Sequence, residues 1–501
     1  MYLLGIDVGT TGCKAVVFDK EGNIKGYGFR EYGIICEKPS YAEQDAKKVW
    51  ELTKEVIKEA VSKSKIADIC ALSLSVQGDA IIPVDENICP LQHTILGMDY
   101  RSFEEANYCK GVLGDRKLFD LTGMRTHPMN SATKILWIKK NLPDIYKKTY
   151  KFMTYADYIL TKLGAEPVID FTMASRTMLF DIHQMKWSKK ILSALELDEN
   201  KLSRPVRSGE VVGTLSDEIT KELGLTSPAM IVSGGHDQAC AALGAGVVKE
   251  NIAIDSHGTA EVVATAFSEP KLGDAMYEGY YPCYCHAKSD MFLTFSLNHI
   301  GGLLLKWYRD TLGHKEVEEA KAIEKDAYEV MIEKISNKPS SVLVLPHFNG
   351  SGTPWCDLGS KGAIVGLTMA TTRHDIVRGI MESLTYELRM NMEHMSLAGL
   401  SIEKLRAVGG TAKSPVWLQI KADITGCTVE TLKVREAACL GAAMLAGVAA
   451  GVYTDLNEAA NTTVKVEKTY VPNKEMKTLY DEKYITYTKL YEALKPIHHT
   501  L

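Results

Sequence analysis

The sequence predicts an α/β fold of two domains, and two observations lead to that prediction. Segments patterned as strands alternate with segments of helical period along most of the 501 residues, which is typical of α/β architecture. A strand-turn-strand unit at the N-terminus is followed near residue 246 by a similar unit, too distant to be a short-period repeat. We therefore expect two related domains, residues 1–245 and 246–501, that face each other. Chance similarity of two short hairpins is the alternative.

Composition and charge exclude several other classes of protein. Apolar residues make up 46% and charged residues 24% of the chain, which is ordinary for a globular protein. The net charge of −5 gives no general attraction to nucleic acid or to an anionic membrane surface. The start of the chain lacks the basic and apolar regions of a signal peptide. The Ala/Gly-rich stretch Cys439–Tyr453 is too short to span a bilayer, and it predicts a tightly packed helix.

The eleven cysteines contain no CxxC pair, so we expect free thiols in a reducing, cytoplasmic location. The segment Cys283-Tyr284-Cys285-His286 carries residue types that bind metals, but no second pair of ligands lies nearby in the sequence. Buried thiols are therefore the expected state of this segment.

The N-terminal unit supplies the first candidate phosphate-binding turn. Tyr2–Asp7 and Lys14–Asp19 are predicted strands, joined by the turn Gly9-Thr10-Thr11-Gly12, and Ile24–Phe29 follows as a third strand. The turn offers unobstructed backbone N–H groups and two hydroxyls, and Lys14 adds a positive charge. Asp7, at the strand end, is suited to hold Mg²⁺ through water. A hairpin whose glycines only turn the chain is the alternative.

Polar groups also follow the next predicted strand. Residues Glu43–Val61 have a helical period, and Ile69–Val76 is a predicted strand that ends at Gln77-Gly78-Asp79. Together with Asp99-Tyr100-Arg101, these residues offer the donors and acceptors that a polyhydroxylated ligand needs. Surface loops have the same composition, so a loop without function is the alternative.

Asp237 is the candidate catalytic group. The segment Gly234-Gly235-His236-Asp237-Gln238 follows an apolar run and precedes a predicted helix over Ala239–Gly246. A helix N-terminus keeps a carboxylate ionised, and an ionised aspartate can take a proton from a hydroxyl that attacks phosphorus. A plain helix-capping aspartate is the alternative, and we expect a structural role for His236.

The second half of the chain predicts a nucleotide-sized crevice. Asn251–Thr259 repeats the apolar strand, Ile-Asp and Gly-Thr order of the N-terminal unit. Leu405–Val408 is a predicted strand, followed by the turn Gly409-Gly410-Thr411 and by Ser414-Pro415 at the start of a helix. The chain contains neither a P-loop nor a GxGxxG motif, so these turns must bind any phosphate. We expect one final packing helix over Glu475–Leu494.

Taken in order, these segments resemble the FGGY family of carbohydrate kinases, which belongs to the actin-like/hexokinase-like ATPase superfamily. The resemblance covers nearly the whole chain. One departure is Gly379, where the family usually has alanine. The matching segments are Ile6-Asp7-Val8-Gly9-Thr10-Thr11, Asp170-Phe171-Thr172-Met173-Ala174-Ser175, Gly235-His236-Asp237-Gln238, His257-Gly258-Thr259, Lys361–Leu367 with Arg378–Glu382, and Val408–Ser414.

The resemblance implies two actin-like, ribonuclease H-like domains with a central cleft, ATP mainly on the second domain and a sugar mainly on the first. It implies that Asp237 is the general base and that Asp7 and Asp237 organise Mg²⁺. A homodimer is expected by analogy. The implied nucleotide-binding residues are Thr10, Thr11, Gly12, Lys14, Gly258, Thr259, Gly302, Lys306, Gly410 and Ser414. The implied sugar-binding or neighbouring residues are Gln77, Gly78, Asp79, Asp99, Arg101 and Gln238.

The predicted sugar-binding segment Gln77-Gly78-Asp79 departs from the patterns of related kinases. D-xylulose kinases typically carry Gln-Met-His, and glycerol kinases Gln-Arg-Glu, where this chain has Gln77-Gly78-Asp79. In the Gln77-Gly78 part of this segment, the chain is more similar to erythritol kinases and L-xylulose kinases. We expect a pentulose such as xylulose first and a polyol second, and gluconate less because Asp79 would repel a carboxylate. An actin- or chaperone-type ATPase switch and an inactive sugar-binding protein are the alternatives from another class.

Overall fold

Two large mixed β-sheets organise the chain, and the computed structural model describes all residues 1–501. One sheet lies in each predicted domain. The strands of the first sheet are, in spatial order, Val211–Thr214, Met230–His236, Ala71–Val76, Tyr2–Val8, Gly12–Asp19 and Ile24–Glu31. Those of the second are Tyr284–Cys285, Phe292–Asn298, Glu261–Phe267, Asn251–His257, Ile402–Gly409, Thr428–Leu432 and Val466–Tyr470.

The two sheets share one topology, which confirms the similarity of the two strand-turn-strand units. In the first sheet, Tyr2–Val8 pairs antiparallel with the strand that follows it and parallel with Ala71–Val76. In the second sheet, Asn251–His257 pairs antiparallel with its successor and parallel with Ile402–Gly409. All six residues of Ala71–Val76 are buried, as expected for a central parallel strand covered on both faces.

Helices cover both sheets, and short two-stranded sheets join the loops. The helices of the first domain are Ala46–Ser64, Phe103–Leu113, Asp115–Thr122, Ser131–Asn141, Pro143–Lys148, Tyr155–Leu163, Phe171–Arg176, Lys189–Ala194, Asp217–Glu222 and Asp237–Gly244. Those of the second are Asp274–Glu278, Gly302–Thr311, His314–Ala322, Ala327–Glu333, Arg373–Leu397, Pro415–Thr425, Ala437–Ala449, Leu456–Thr463, Lys474–Tyr487 and Leu490–His498. The short sheets pair Glu43–Gln44 with Thr94–Ile95, Ile82–Val84 with Lys151–Met153, Val168–Asp170 with Arg204–Val206, Phe180–Asp181 with Lys186–Trp187, and Leu343–Leu345 with Ala363–Val365.

Two predicted helices have different bounds in the structure. The first begins at Ala46 and not at Glu43, because the Asp45 side chain accepts hydrogen bonds from the backbone N–H groups of Lys47 and Lys48 and so caps the helix there. The single helix predicted over Glu475–Leu494 is wrong, since the chain breaks into two helices near Thr488. There the threonine hydroxyl donates to a carbonyl three residues earlier, which competes with regular helix geometry.

One helix of the second half packs directly on the first sheet. Ala437–Ala449 lies so close that a Cβ atom at Gly5 would be 1.9 Å from the Cys439 carbonyl oxygen. A Cβ atom at Gly441 would be 1.9 Å from the Cys240 carbonyl oxygen, and one at Gly244 would be 1.9 Å from that of Ala437. Glycine therefore permits backbone-to-backbone contact, and the tightly packed helix expected from the sequence is confirmed.

A buried carboxyl group in the first domain gives a pH-dependent stability. Asp157 accepts hydrogen bonds from Thr154 Oγ1 and Ser203 Oγ, each at 2.6 Å, and burial raises its pKa from 3.8 to about 7. The folded state then holds a proton that the unfolded chain releases near pH 4. The stability that this group contributes is present at low pH, and it is lost as the pH rises towards 7.

We expect Asp157→Asn to remove this dependence. Between about pH 4 and pH 7, the free energy of unfolding of the wild type should fall, relative to the variant, by about 1.4 kcal/mol per pH unit. Urea unfolding of both proteins at several pH values measures the difference. Parallel stability profiles would contradict the prediction.

Candidate active site

A cavity of about 240 Å³ lies between the two sheets, at the carboxyl ends of three strands of the first sheet. Six of the predicted site residues line it: Thr10, Gln77, Gly78, Asp79, Asp237 and Gln238. The second domain contributes the opposite wall through apolar side chains, among them Phe295 and Leu297. Ligands of open α/β sheets bind outside the carboxyl ends of the strands, which is where this cavity lies.

Asp237 directly follows a strand, as predicted, and it is itself the first residue of the helix Asp237–Gly244, which begins and ends two residues earlier than the predicted helix. About a third (32%) of its side chain is exposed. Burial of the Asp237 carboxyl group in the cleft, and then the charge of Asp7, raise its pKa to about 7. His236 Nε2 lies 3.2 Å from Asp237 Oδ1, and burial and then the charge of Arg176 hold the pKa of this histidine well below its usual value. A neutral imidazole therefore lies beside a carboxyl group whose pKa suits it to accept a proton near pH 7.

The first phosphate turn is held in place by its neighbours. Thr10 Oγ1 donates to Gln77 Oε1 at 3.2 Å, and Gln77 Nε2 donates to the Gly9 carbonyl at 3.2 Å. The Tyr32 hydroxyl donates to the same carbonyl at 2.6 Å. Thr11, by contrast, is exposed. These hydrogen bonds fix the turn, while Thr11 stays accessible to a ligand.

Asp7 and Lys14 lie on the two strands that flank this turn. Asp7 accepts a hydrogen bond from Ser75 Oγ at 2.8 Å, and burial raises its pKa. Lys14 Nζ lies 3.0 Å from Glu436 Oε2, across the boundary between the domains. The charge of Asp7 raises the pKa of Asp237, so the two carboxylates repel each other. Two neighbouring hard oxygen donors of like charge suit Mg²⁺, so the donor set fits the predicted metal site.

The predicted nucleotide residues of the second domain gather at adjacent turns. The Gly302 N–H group donates to the Gly258 carbonyl at 2.8 Å, and a Cβ atom at Gly302 would lie only 2.9 Å from that oxygen. Thr259 accepts in the same way from the N–H group of Gly301, at 2.8 Å. Lys306 follows in the helix Gly302–Thr311 and is exposed.

The turn that contains Gly410 lies beside this pair. The strands that precede the two turns are parallel and end side by side, with His257 opposite Gly409. Ser414 caps the helix Pro415–Thr425 by accepting from the Trp417 N–H group at 3.3 Å. A helix N-terminus beside two glycine turns can bind anionic groups.

The structure does not bring Asp99 and Arg101 to the cavity lining. Arg101 Nη2 lies 2.7 Å from both Asp99 Oδ2 and Glu43 Oε1, and its guanidinium group lies 3.7 Å from the centre of the Tyr41 ring. The Arg101 and Asp99 side chains are buried and pair with each other. Through Glu43, Arg101 also joins this loop to the segment that precedes the first helix. Cys283 and Cys285 are buried free thiols, as expected.

Family models identify the protein. The model for the N-terminal domain of the FGGY family of carbohydrate kinases matches residues 2–244, and the model for the C-terminal domain matches residues 254–450. The chain belongs to the FGGY family of carbohydrate kinases. As a member of this family it is a phosphotransferase, and the family predicted from its motifs is confirmed.

Relatives of this FGGY kinase match over nearly their full lengths. A xylulose kinase of Bacillus subtilis is 28% identical over 505 residues, which cover 100% of this chain and 98% of the relative. A glycerol kinase of Lactobacillus acidophilus is 30% identical over 493 residues, with 96% of each chain covered. The crystal structure of a xylulose kinase from Brucella ovis aligns with a TM-score of 0.88 at 26% identity, covering 99% of this chain and 100% of that one. These matches confirm the two-domain fold expected for the family.

None of the helices of this FGGY kinase combines the length and apolar character that crossing a bilayer requires.

One charged residue of the cavity of this FGGY kinase is absent from the site residues predicted from the sequence. Arg176 lines the cavity and ends the short helix Phe171–Arg176. The signal was available, because Arg176 directly follows the family segment that ends at Ser175. The direction in which the Arg176 side chain points could not be predicted from the sequence, because it depends on how that helix packs against the first sheet.

Proposed function

We propose that this carbohydrate kinase transfers the γ-phosphoryl group of ATP to a primary hydroxyl of a small ketose, with a pentulose such as xylulose as the first candidate. One observation carries the proposal: the candidate base Asp237 lines the same cavity as Thr10 of the first phosphate turn and as the polar residues Gln77 and Asp79. The full-length similarity to xylulose kinases supports the choice of substrate.

In this proposal, the substrate lies against Gln77 and Asp79 with its primary hydroxyl at Asp237. The Asp237 carboxylate takes the hydroxyl proton as the oxygen attacks the γ-phosphorus. The amides of the first turn and Lys14 stabilise the negative charge on the transferring group. Closure of the domains excludes water, which would otherwise be phosphorylated in place of the sugar. Mg²⁺ held by Asp7 and Asp237 would neutralise charge on the phosphates.

Lys14 has two partners in this scheme. In the structure it pairs with Glu436, and in the proposed complex it approaches the γ-phosphate. Since the side chains of Lys14 and Glu436 are 33% and 25% exposed, the ion pair is partly solvated and exchanges partners at low cost.

A polyol is the second candidate substrate, and one observation favours it. The glycerol kinase pattern has arginine at the position of Gly78. Here Arg176 Nε lies 3.6 Å from the place that a Cβ atom of residue 78 would occupy. The Arg176 guanidinium group, at the end of the helix Phe171–Arg176, therefore reaches the same region, next to Asp79.

A substrate panel tests the proposal. Formation of ADP would be measured with ATP and Mg²⁺ alone, and then with D-xylulose, L-xylulose, D-ribulose, erythritol, glycerol or gluconate. We expect a ketose to stimulate the rate most. Stimulation by a polyol alone would select the second candidate. A slow rate that no sugar changes would overturn the kinase assignment of the cavity in favour of an ATPase switch.

We propose ATP as the phosphoryl donor because the turns at Thr10, Gly258 and Gly410 offer phosphate-binding groups on both domains. The cytoplasmic location and the homodimer stay predictions. Light scattering of the purified protein tests the dimer.

A further inference from the structure

Arg176 is the only arginine or lysine that lines the cavity, and the proposed mechanism leaves it without a role. Its side chain is 3% exposed. Its single hydrogen bond within the protein runs from Nη2 to Asp79 Oδ2, at 2.7 Å. Nε is buried with no partner, and Nη1 makes no hydrogen bond either. A buried guanidinium group that uses one of its five N–H groups has unused donor capacity.

Asp79 shows the same incomplete pairing. Its Oδ1 atom is buried without a partner, whereas Oδ2 accepts from Arg176. Its backbone is left-handed, with φ of +66°, a conformation that aspartate tolerates better than most residues. Unpaired buried polar atoms cost free energy, so a ligand that pairs with them is favoured. A pair with an unused donor and an unused acceptor, at the wall of a cavity, fits a ligand that completes both.

The surroundings hold the Arg176 guanidinium group in one place. It lies 5.6 Å from the centre of the Tyr284 ring and 5.5 Å from that of Phe295, so two aromatic rings flank it. A Cβ atom at Gly78 would lie 2.7 Å from His236 Nε2, so the absence of a side chain at residue 78 leaves space for this arrangement. The guanidinium group is therefore positioned before any ligand binds.

We propose that Arg176 is a substrate-binding residue, which together with Asp79 binds one hydroxyl of the substrate other than the one that is phosphorylated. Arginine only donates hydrogen bonds and a carboxylate only accepts them, whereas a hydroxyl does both. A ketone oxygen satisfies Arg176 and leaves Asp79 unpaired, and a carboxylate is repelled by Asp79. The pair thus selects an alcohol at this position. This inference rests on the proposed function, since it names a determinant of substrate choice at the same site.

The test compares the preferred substrate of the panel with its single-deoxy analogues. Arg176→Gln alone removes the hydrogen-bonded partner of the buried Asp79 carboxylate, so the test uses the double variant Asp79→Asn with Arg176→Gln, which leaves the net charge of the site unchanged. In the wild type, we expect one analogue to lose about 10–10²-fold in kcat/KM, because it leaves a charged pair unsatisfied. In the double variant, that penalty should fall to within about threefold, while the penalties of the other analogues persist.

Arg125→Gln is the matched control. Arg125 also pairs with an aspartate, Asp115, at 3.1 Å, and its guanidinium group also lies between two aromatic rings, those of Tyr277 and Tyr280. It does not line the cavity, so its variant should keep every analogue penalty of the wild type. Equal loss of discrimination against all analogues in the double variant, or no loss against any, would overturn the inference.

Two further measurements keep the outcomes distinct. If the double variant does not fold, as judged by its thermal transition, Arg176→Lys retains the charge without the planar fork and should weaken discrimination against the same analogue. If the wild type phosphorylates no member of the panel, the proposed function fails. Calorimetric binding of the panel sugars and their deoxy analogues to wild type and double variant then still tests Arg176, because unchanged affinities would overturn its role.

Discussion

Asp237→Asn is expected to lose roughly 10²–10⁴-fold in kcat, the usual contribution of a general base, while its affinity for ATP is retained. The amide cannot take up the hydroxyl proton. Without Mg²⁺, the thermal stability of the variant should equal or exceed that of the wild type, because the substitution removes one of two carboxylates that repel each other. The raised pKa of Asp237, about 7, means that the ionised carboxylate is unfavourable in the folded protein. Steady-state kinetics with the best substrate, nucleotide titration and thermal unfolding measure the three effects.

Asp217→Asn is the control for this variant. Asp217 is also the first residue of a helix, Asp217–Glu222, but it is exposed and does not line the cavity. Its replacement should leave kcat within about twofold of the wild type, as for most surface substitutions. A rate near that of the wild type for Asp237→Asn would remove Asp237 from the role of base. A large loss of stability would show that its carboxylate is structural.

Two related aspartates in the pseudo-symmetric domains have different surroundings. Asp7 and Asp255 occupy equivalent places in the two strand-turn-strand units. Asp7 has a hydroxyl partner, Ser75, whereas Asp255 is fully buried and paired with the ammonium group of Lys421. Lys421 also lies 2.7 Å from Glu261. Asp255 thus belongs to a buried cluster of charges inside the second domain, and of these two related aspartates only Asp7 adds negative charge near Asp237.

The parts of the site that could be predicted from the sequence are those set by short segments. Asp237 follows an apolar run and begins a helix, and the turn around Thr10 lies between two strands, so both fall at strand ends whatever the rest of the chain does. Parallel strands of one sheet then bring these ends to one edge. For the same reason Gln77 and Asp79 reach the cavity.

The parts that could not be predicted depend on contacts between distant residues. Arg101 is a predicted sugar-binding residue like Gln77, but it pairs with Glu43 and Asp99 outside the cavity. Arg176 reaches Asp79 from 97 residues away, a contact that no local pattern encodes. The break near Thr488 likewise depends on context. It leaves Tyr491 free to donate to Asp357, 134 residues earlier, at 2.9 Å.

Gly441→Ala is expected to lower the free energy of unfolding by about 3 kcal/mol or more, at the upper end of what overpacking a core costs. The new Cβ atom would lie 1.9 Å from the Cys240 carbonyl oxygen, which belongs to the helix that begins with Asp237. A backbone atom cannot move aside as a flexible side chain can, so the two helices must separate. Urea unfolding of variant and wild type measures the loss.

Gly111→Ala is the matched control, because Gly111 lies in the helix Phe103–Leu113 and a Cβ atom there would have no atom within 4 Å. Helix propensity predicts a gain of about 0.5–1 kcal/mol for that variant. If Gly441→Ala were equally harmless, the close contact between the helices would not be needed. The folded fraction of Gly441→Ala should also have a reduced kcat, since Ala437–Ala449 belongs to the second half of the chain and packs on the helix that carries Asp237. A shift of that contact displaces the proposed base Asp237 relative to the turns that we propose bind the nucleotide, and displacements of about 1 Å cost on the order of 10²-fold in rate.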